Sequence, residues 1–255
     1  MRLCTYNIWN HDSHYDQRMD QLTELLKTEA IDVLLLQEVR DEALVMRVRE
    51  ACDFDHYYWK EYFDCKEGLA ILSRHPISAP WTNWDDNEDV HNSGSMCVNV
   101  LYKDLSVSIM NVHLDYKLAA NREVELLKAL TYLEKQDADY RVIAGDFNTY
   151  PASKLYGFVT GLMSLNGESK RYIDLPEAYS IRNNTELDVT IDFINNPRWA
   201  NDPCLEKPGR FDWVMLENPY PRQYPKVADY ALLGKEVISG VTPSDHYGVV
   251  IELAF

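Results

Sequence analysis

Five short segments of this chain carry side chains suited to phosphate chemistry. They are Asn7 in CTYNIW, Glu38 in LLLQEVR, His113 in NVHLD, Asp146 and Asn148 in AGDFN, and Asp245 and His246 in PSDH. Each stands at the end of an apolar run rich in β-branched residues, the pattern of a buried strand. Polar groups at the tips of core strands can meet on one rim of a sheet. Carboxylates, amides and imidazoles meeting there are what a hard divalent cation and phosphate hydrolysis require. Glu38 leads as metal ligand, because a carboxylate just past Val33–Leu36 lies where an isolated charge is costly. Magnesium takes one or two protein carboxylates and completes its shell with water and phosphate.

Each residue also has an ordinary structural reading. Glu38 could cap a helix, Gly-Asp and Asn-Thr-Tyr-Pro favour an Asx turn, and a lone His before a terminal strand is usually a hydrogen-bonding residue. Their recurrence at successive strand ends favours a site. Two residues apart on an extended segment, Asp146 and Asn148 are expected to face one point. Asp212, embedded between Phe211 and Trp213, needs a buried partner, for which His246 is the sensible choice. Glu67, just before GLAILS, is expected to orient His113 similarly. Asp115, Tyr116, Arg74, Arg122 and Arg210 read as structural or rim residues.

The elements that must position these groups alternate in period. Strands are expected at Leu3–Ile8, Ile31–Leu36, Tyr57–Tyr62, Gly68–Ser73, Met96–Tyr102, Leu105–Val112, Tyr140–Ala144, Phe211–Leu216, Tyr230–Leu233 and Gly248–Leu253. Helices are expected at Tyr15–Ala30, Asp41–Cys52, Leu118–Gln136 and near Ala152–Gly161. Trp81–Ser95 and Ser180–Gly209, rich in Asn, Asp, Pro and Trp, read as surface loops within and beside a long irregular stretch that ends near Pro208. The mixture predicts an α/β sandwich, two packed sheets flanked by helices, and the 255 residues are expected to form a single domain.

Composition narrows the function. A net charge of −16 disfavours a broad nucleic-acid footprint, although a local basic groove remains compatible with it. The five cysteines are odd in number and widely spaced, with no CxxC pair, so neither a disulfide framework nor structural zinc is implied. Cys4 and Cys97 read as small core residues. No apolar stretch approaches the roughly 20 residues of a bilayer span. RLCTYNIW follows the first Met without a basic leader, and the cytoplasm is the default expectation.

With these residues in place, the chain resembles the endonuclease/exonuclease/phosphatase superfamily of DNase I-like phosphoesterases. The motifs run in that family's order: YNIW, QEV, GLAILSR-P, NVHLD, GDFN, RFDWV and SDH. The resemblance implies a four-layer α/β/β/α sandwich of mixed sheets that hydrolyses a phosphoester with one or two Mg²⁺ or Mn²⁺ ions. By the same match, Glu38 is the main metal ligand, with Asn7 and Asp245 nearby. Asp146 and Asn148 position water, and His246 paired with Asp212 acts as base or holds phosphate. His113, supported by Glu67, stabilises charge. RFDWV and the Tyr247-Gly248 pair after SDH depart from the commoner family strings, which bears on subfamily rather than chemistry.

A metal-dependent phosphodiesterase or phosphatase working by in-line water attack is therefore expected, and no nucleophile motif points to a covalent intermediate. The phosphate ester could be a small molecule, nucleotide, nucleic acid or lipid head group, and no obligate protein partner is inferred. The alternatives are a nuclease, a sphingomyelinase-like enzyme and, from another class, a catalytically silent binder on the same scaffold. Trp81, Trp84, Tyr179 and Trp199 could stack on substrate, but each is expected first to tie a loop to the core.

Overall fold

The computed structural model describes residues 1–63, 65–84, 92–202 and 204–255. Two six-stranded mixed sheets pack face to face with helices outside, the four-layer arrangement expected. The first sheet has the order β11(Lys226–Leu233), β12(Gly248–Ala254), β1(Arg2–Asn7), β2(Val33–Val39), β4(Gly68–Ser73), β3(His56–Glu61). The second has the order β5(Ile77–Thr82), β6(Gly94–Tyr102), β7(Leu105–His113), β8(Tyr140–Asp146), β10(Asp212–Glu217), β9(Tyr172–Asp174). In each sheet only the central pair is parallel: β1 with β2, and β7 with β8.

The continuous apolar run in β2 is buried on both sides. Val33 and Leu35 enter the core between the sheets, while Leu34 and Leu36 pack under α1(Tyr15–Lys27) and α2(Glu42–Ala51). The same alternation holds in β7, where Val107 and Ile109 face the inter-sheet core. Met110 and Val112 there lie under α3(Ala119–Leu133) and α4(Lys154–Thr160). Because strand side chains alternate, this parity sends Asn7, His113, Asp146 and Asp212 to the open end of the inter-sheet core. Cys4 and Cys97 are buried free thiols, as expected.

Three expectations fail for physical reasons. The stretch ending near Pro208 is not all irregular: β9 runs straight into α5(Leu175–Asn183), with Asp174 capping Glu177 N. Asp174 also pairs with buried Arg210 at 2.7 Å, a partner far away in sequence. β5 has no apolar alternation, because its edge position leaves Ser78, Ala79 and Pro80 exposed. The expected loop Trp81–Ser95 is trimmed by β5 and β6, and its residues 85–91 lie outside the described residues.

Between the sheets lies a small polar bridge. Gln37 Nε2 donates to Thr5 Oγ1 and Asn111 Oδ1, at 2.9 and 2.6 Å. Asn111 Nδ2 donates across the core to the carbonyls of Leu36 and Ala70, at 3.0 and 3.1 Å. Those carbonyls belong to the last β2–β4 pair before a break in register. Truncating Asn111 strands buried acceptors, each costing about 1–3 kcal/mol. Asn111→Ala should therefore cost about 2–3 kcal/mol of stability, seen as a lower urea midpoint at an unchanged m-value in circular dichroism.

Candidate active site

The break in β2 aims Glu38. Strict alternation would send Glu38 to the helix side with Leu36, yet its backbone turns left-handed at φ 58. A β-bulge of this kind re-aims one side chain, and a non-glycine residue adopts it only where neighbours enforce it. Glu38 Oε1 accepts from Asn7 Nδ2 at 2.9 Å, and its Oε2 accepts from Asn10 N at 2.9 Å. The same Asn7 Nδ2 donates to Asp146 Oδ2 at 3.0 Å. Two carboxylates from opposite sheets thus converge on one donor.

Imidazoles close on that point from both sides. Nε2 of His113 and Nε2 of His246 stand 3.9 and 3.8 Å from Asp146 Oδ2, and His113 Nε2 is 3.8 Å from Glu38 Oε1. His246 Nδ1 lies 2.9 Å from Asp212 Oδ2, the pairing expected from sequence. Since a carboxylate only accepts, Nδ1 carries the proton and Nε2 faces Asp146. Register supports the cluster, because His113 and Asp212 both sit opposite Asp146 across the ladder. Gly145 (φ 141) permits it, since a Cβ there would lie 2.0 Å from the Val112 carbonyl.

Three groups stand differently from the expectation. Asn7 presents its amide nitrogen to the carboxylates because its Oδ1 accepts from Trp9 N, so here it braces the acids rather than offering a ligand oxygen. Glu67 Oε2 accepts from Asn10 Nδ2 rather than from His113, whose buried Nδ1 has no hydrogen-bond partner among the described residues. Glu38 and Glu67 repel, and a bridging amide separates them. Asn148 lies past the strand end at φ 49, so the two-residue parity with Asp146 does not apply. Its backbone N donates to Asp146 Oδ1 in an Asx turn and its Nδ2 to the Leu114 carbonyl, at 2.8 and 2.9 Å.

Asp245 is buried beside this cluster and takes a 3.3 Å hydrogen bond from Ser244. Ser244 itself is buried with its hydroxyl 2.7 Å from the Asn7 carbonyl, a locking contact rather than a nucleophile's exposure.

Sequence reasoning missed the supports. Thr190 Oγ1 accepts from the amides of Phe211 and Asp212, at 2.9 and 3.1 Å, and its carbonyl accepts from Tyr247 N. Asn196 Nδ2 donates to the Ser244 and Asp245 carbonyls. Arg18, 2% exposed, donates to five backbone carbonyls: Ile8, Trp9, His11, Ser13 and Pro243. The only sequence signal was polarity inside segments read as helix or loop.

Electrostatics explains the tension. Burial raises the Asp146 carboxyl, with Asp212 adding to it and His246 opposing, and burial likewise raises Asp245, with Glu38 adding. Burial works against charge on His246, but Asp212 and Asp146 outweigh it and hold its pKa well above the ordinary 6.5. Among the described residues the buried Asp212 Oδ1 has no hydrogen-bond partner. Crowded, buried carboxylates of this kind fit a hard divalent cation, which prefers oxygen ligands. Asp146, Asp212 and His246 also bring one potential ligand atom each within 4.8 Å of one another. The 2.9 Å bond already made between Asp212 and His246 favours Glu38 and Asp146 as the first ligands.

A family model described as the endonuclease/exonuclease/phosphatase family matches residues 4–246, and the chain belongs to that family. No curated protein matches the chain in sequence. Among solved structures, TDP2 of D. rerio complexed with a single-strand DNA product is 18% identical, with TM-score 0.79, covering 100% of this chain and 99% of that one. Truncated TDP2 of Caenorhabditis elegans is 20% identical, with TM-score 0.75, covering 100% and 97%. A family protein of Leptotrichia buccalis is 16% identical, with TM-score 0.71, covering 100% of both chains. These likenesses concern the fold.

The Asp212–His246 pair has a checkable titration. A raised folded pKa stabilises the metal-free protein fully below about 6.5 and is lost as pH rises through the folded value. In EDTA-treated protein, NMR should find His246 protonated well past that midpoint. Asp212→Asn should bring the midpoint down, and an unmoved resonance would count against the pairing.

Proposed function

We propose that this chain is a divalent-metal-dependent phosphoesterase that cleaves its substrate by in-line attack of water. The observation that carries the reading is Asp146 Oδ2. It sits between two imidazole Nε2 atoms at 3.8 and 3.9 Å and shares the Asn7 amide with Glu38. Phosphate transfer needs cationic or donor groups around the phosphoryl oxygens and a carboxylate that orients water. Both are present at one point on the rim.

Glu38 and Asp146 would hold a magnesium or manganese ion, with Asp245 beside them and Asn7 bracing the pair. Such an ion neutralises charge on a phosphate oxygen. The chain's own residues do the rest. His246, oriented through Nδ1 by Asp212 and kept protonated by Asp212 and Asp146, presents an N–H from Nε2 toward the phosphate. His113 offers a second imidazole from the other flank. Asp146, fixed by Asn148 N and Asn7, holds water in line with the leaving group.

A phosphodiester in a nucleic-acid strand is the first substrate to test, because the D. rerio TDP2 with this fold was crystallised with a single-strand DNA product. Among the described residues no helix is long and apolar enough to cross a membrane. The alternative of a silent binder is separated by turnover. With Mn²⁺ or Mg²⁺ the protein should hydrolyse bis-p-nitrophenyl phosphate, and EDTA should abolish the reaction. Glu38→Ala should cost at least about 10²-fold in kcat, the scale of losing one main electrostatic group. Turnover that survives EDTA or Glu38→Ala would overturn the reading.

A further inference from the structure

A cavity of about 470 Å³ opens beside the catalytic rim, lined by Trp9, His11, Arg18, Arg198, Asn201 and Thr242 among others. It is tied to the site at both ends. Trp9 N donates to Asn7 Oδ1, and Thr242 Oγ1 donates to the Ser244 carbonyl at 2.8 Å. On a chain of net charge −16, two guanidinium groups meet here over one indole. Arg18 lies 4.3 Å and Arg198 4.9 Å from the Trp9 ring centroid.

The two arginines are not equivalent. Every Arg18 nitrogen is taken by a backbone carbonyl, so Arg18 lends the cavity only charge. Arg198 turns its fork to a side chain, with Nη1 and Nη2 both donating to Asp202 Oδ2. Its guanidinium lies within reach of both Trp9 and Trp199, the latter at 4.4 Å, and among the described residues its buried Nε has no hydrogen-bond partner. Its carboxylate contact, Asp202, is 3.3 Å away with a side chain 72% exposed. An exposed i,i+4 pair of this kind is weak and readily displaced. Asn196 fixes Arg198 in register with the catalytic segment, since its Oδ1 accepts from Arg198 N while its Nδ2 holds the Ser244 and Asp245 carbonyls.

We propose that Arg198 recognises a second phosphate on the substrate, adjacent to the one that is hydrolysed. The proposal rests on the phosphoesterase reading and deepens it to a substrate class: esters carrying two neighbouring phosphates. A guanidinium within cation–π reach of two indole rings and released from Asp202 presents parallel donors that match phosphate oxygens. Quaternary-ammonium head groups are disfavoured, because both guanidinium charges oppose them.

The test uses matched chromogenic substrates that differ by one phosphate: thymidine 5′-(p-nitrophenyl phosphate) and the same ester bearing a 3′-phosphate. With Mn²⁺, the doubly phosphorylated ester should show kcat/KM at least about 10-fold higher, the scale of one charge-assisted contact, carried mainly by KM. Arg198→Met should bring that ratio close to unity, and Arg198→Lys, which keeps charge but loses the fork, should retain part of it. The ratio cancels any general loss of activity, and thermal melts confirm that each variant is folded. A preference unchanged in Arg198→Met, or no preference in a wild type that cleaves both esters, would overturn the proposal alone. Failure of the wild type to cleave either ester or bis-p-nitrophenyl phosphate would overturn the phosphoesterase reading and this inference with it.

Discussion

The site depends on one irregularity: the break in β2 at Gln37–Glu38. A regular strand would place Gln37 in the core and Glu38 under the helices. The break keeps Gln37 inside, where it bonds Thr5 and Asn111, and swings Glu38 to the rim. Asn111 from the opposite sheet stabilises the edge of the break by donating to the carbonyls of Leu36 and Ala70, the last pair before it. Because Asn111 is two residues from His113 on the same face of β7, one contact sets both the distance between the sheets and the approach of an imidazole to Glu38. Buried amides in an otherwise apolar core are expensive unless satisfied, and here that cost enforces register.

Around that anchor the fold concentrates like charge. Glu38, Glu67, Asp146, Asp212 and Asp245 are drawn together by strands that bury their apolar residues, not by attraction among the acids. Burial raises the carboxyl pKa values of Asp146, Asp245 and Glu67, and the neighbouring acids add to the rise. The repulsion is relieved by donors placed between the acids: Asn7 between Glu38 and Asp146, Asn10 between Glu38 and Glu67, and His246 between Asp146 and Asp212. Hydrophobic burial supplies the driving force, and the polar rim carries the chemistry that burial makes unfavourable on its own.

The loops that frame the rim are fixed as firmly as the strands. Arg18 collects five carbonyls from the segment after β1 and from Pro243, so one guanidinium holds both sides of the entrance. Thr190 and Asn196 bring the Ser180–Gly209 stretch down onto the strand tips that carry Asp212 and His246. The same stretch delivers Arg198 to the edge of the site. Trp213 shows why the RFDWV string departs from the commoner pattern. Its indole stacks on Phe147 at 4.4 Å, donates to the Arg210 carbonyl and fills the helix side of β10, leaving Asp212 untouched.

Much of this was legible in the residues themselves. Asn7, His113, Asp146 and Asp212 were legible as polar residues at the tips of buried strands, because the apolar pattern of a strand is a local property. The Asp212–His246 pair was legible because a buried acid must have a partner. What only the tertiary structure decided involves contacts between segments distant in sequence. The choice of Asn10 over His113 as the partner of Glu67 is one case, and the turning of Asn7 toward the acids is another. The bulge that aims Glu38 and the Asp174–Arg210 pair that stabilises an unpredicted strand and helix belong with them. A hydrogen bond goes to whichever donor the packed fold brings nearest, and no local spacing encodes that distance.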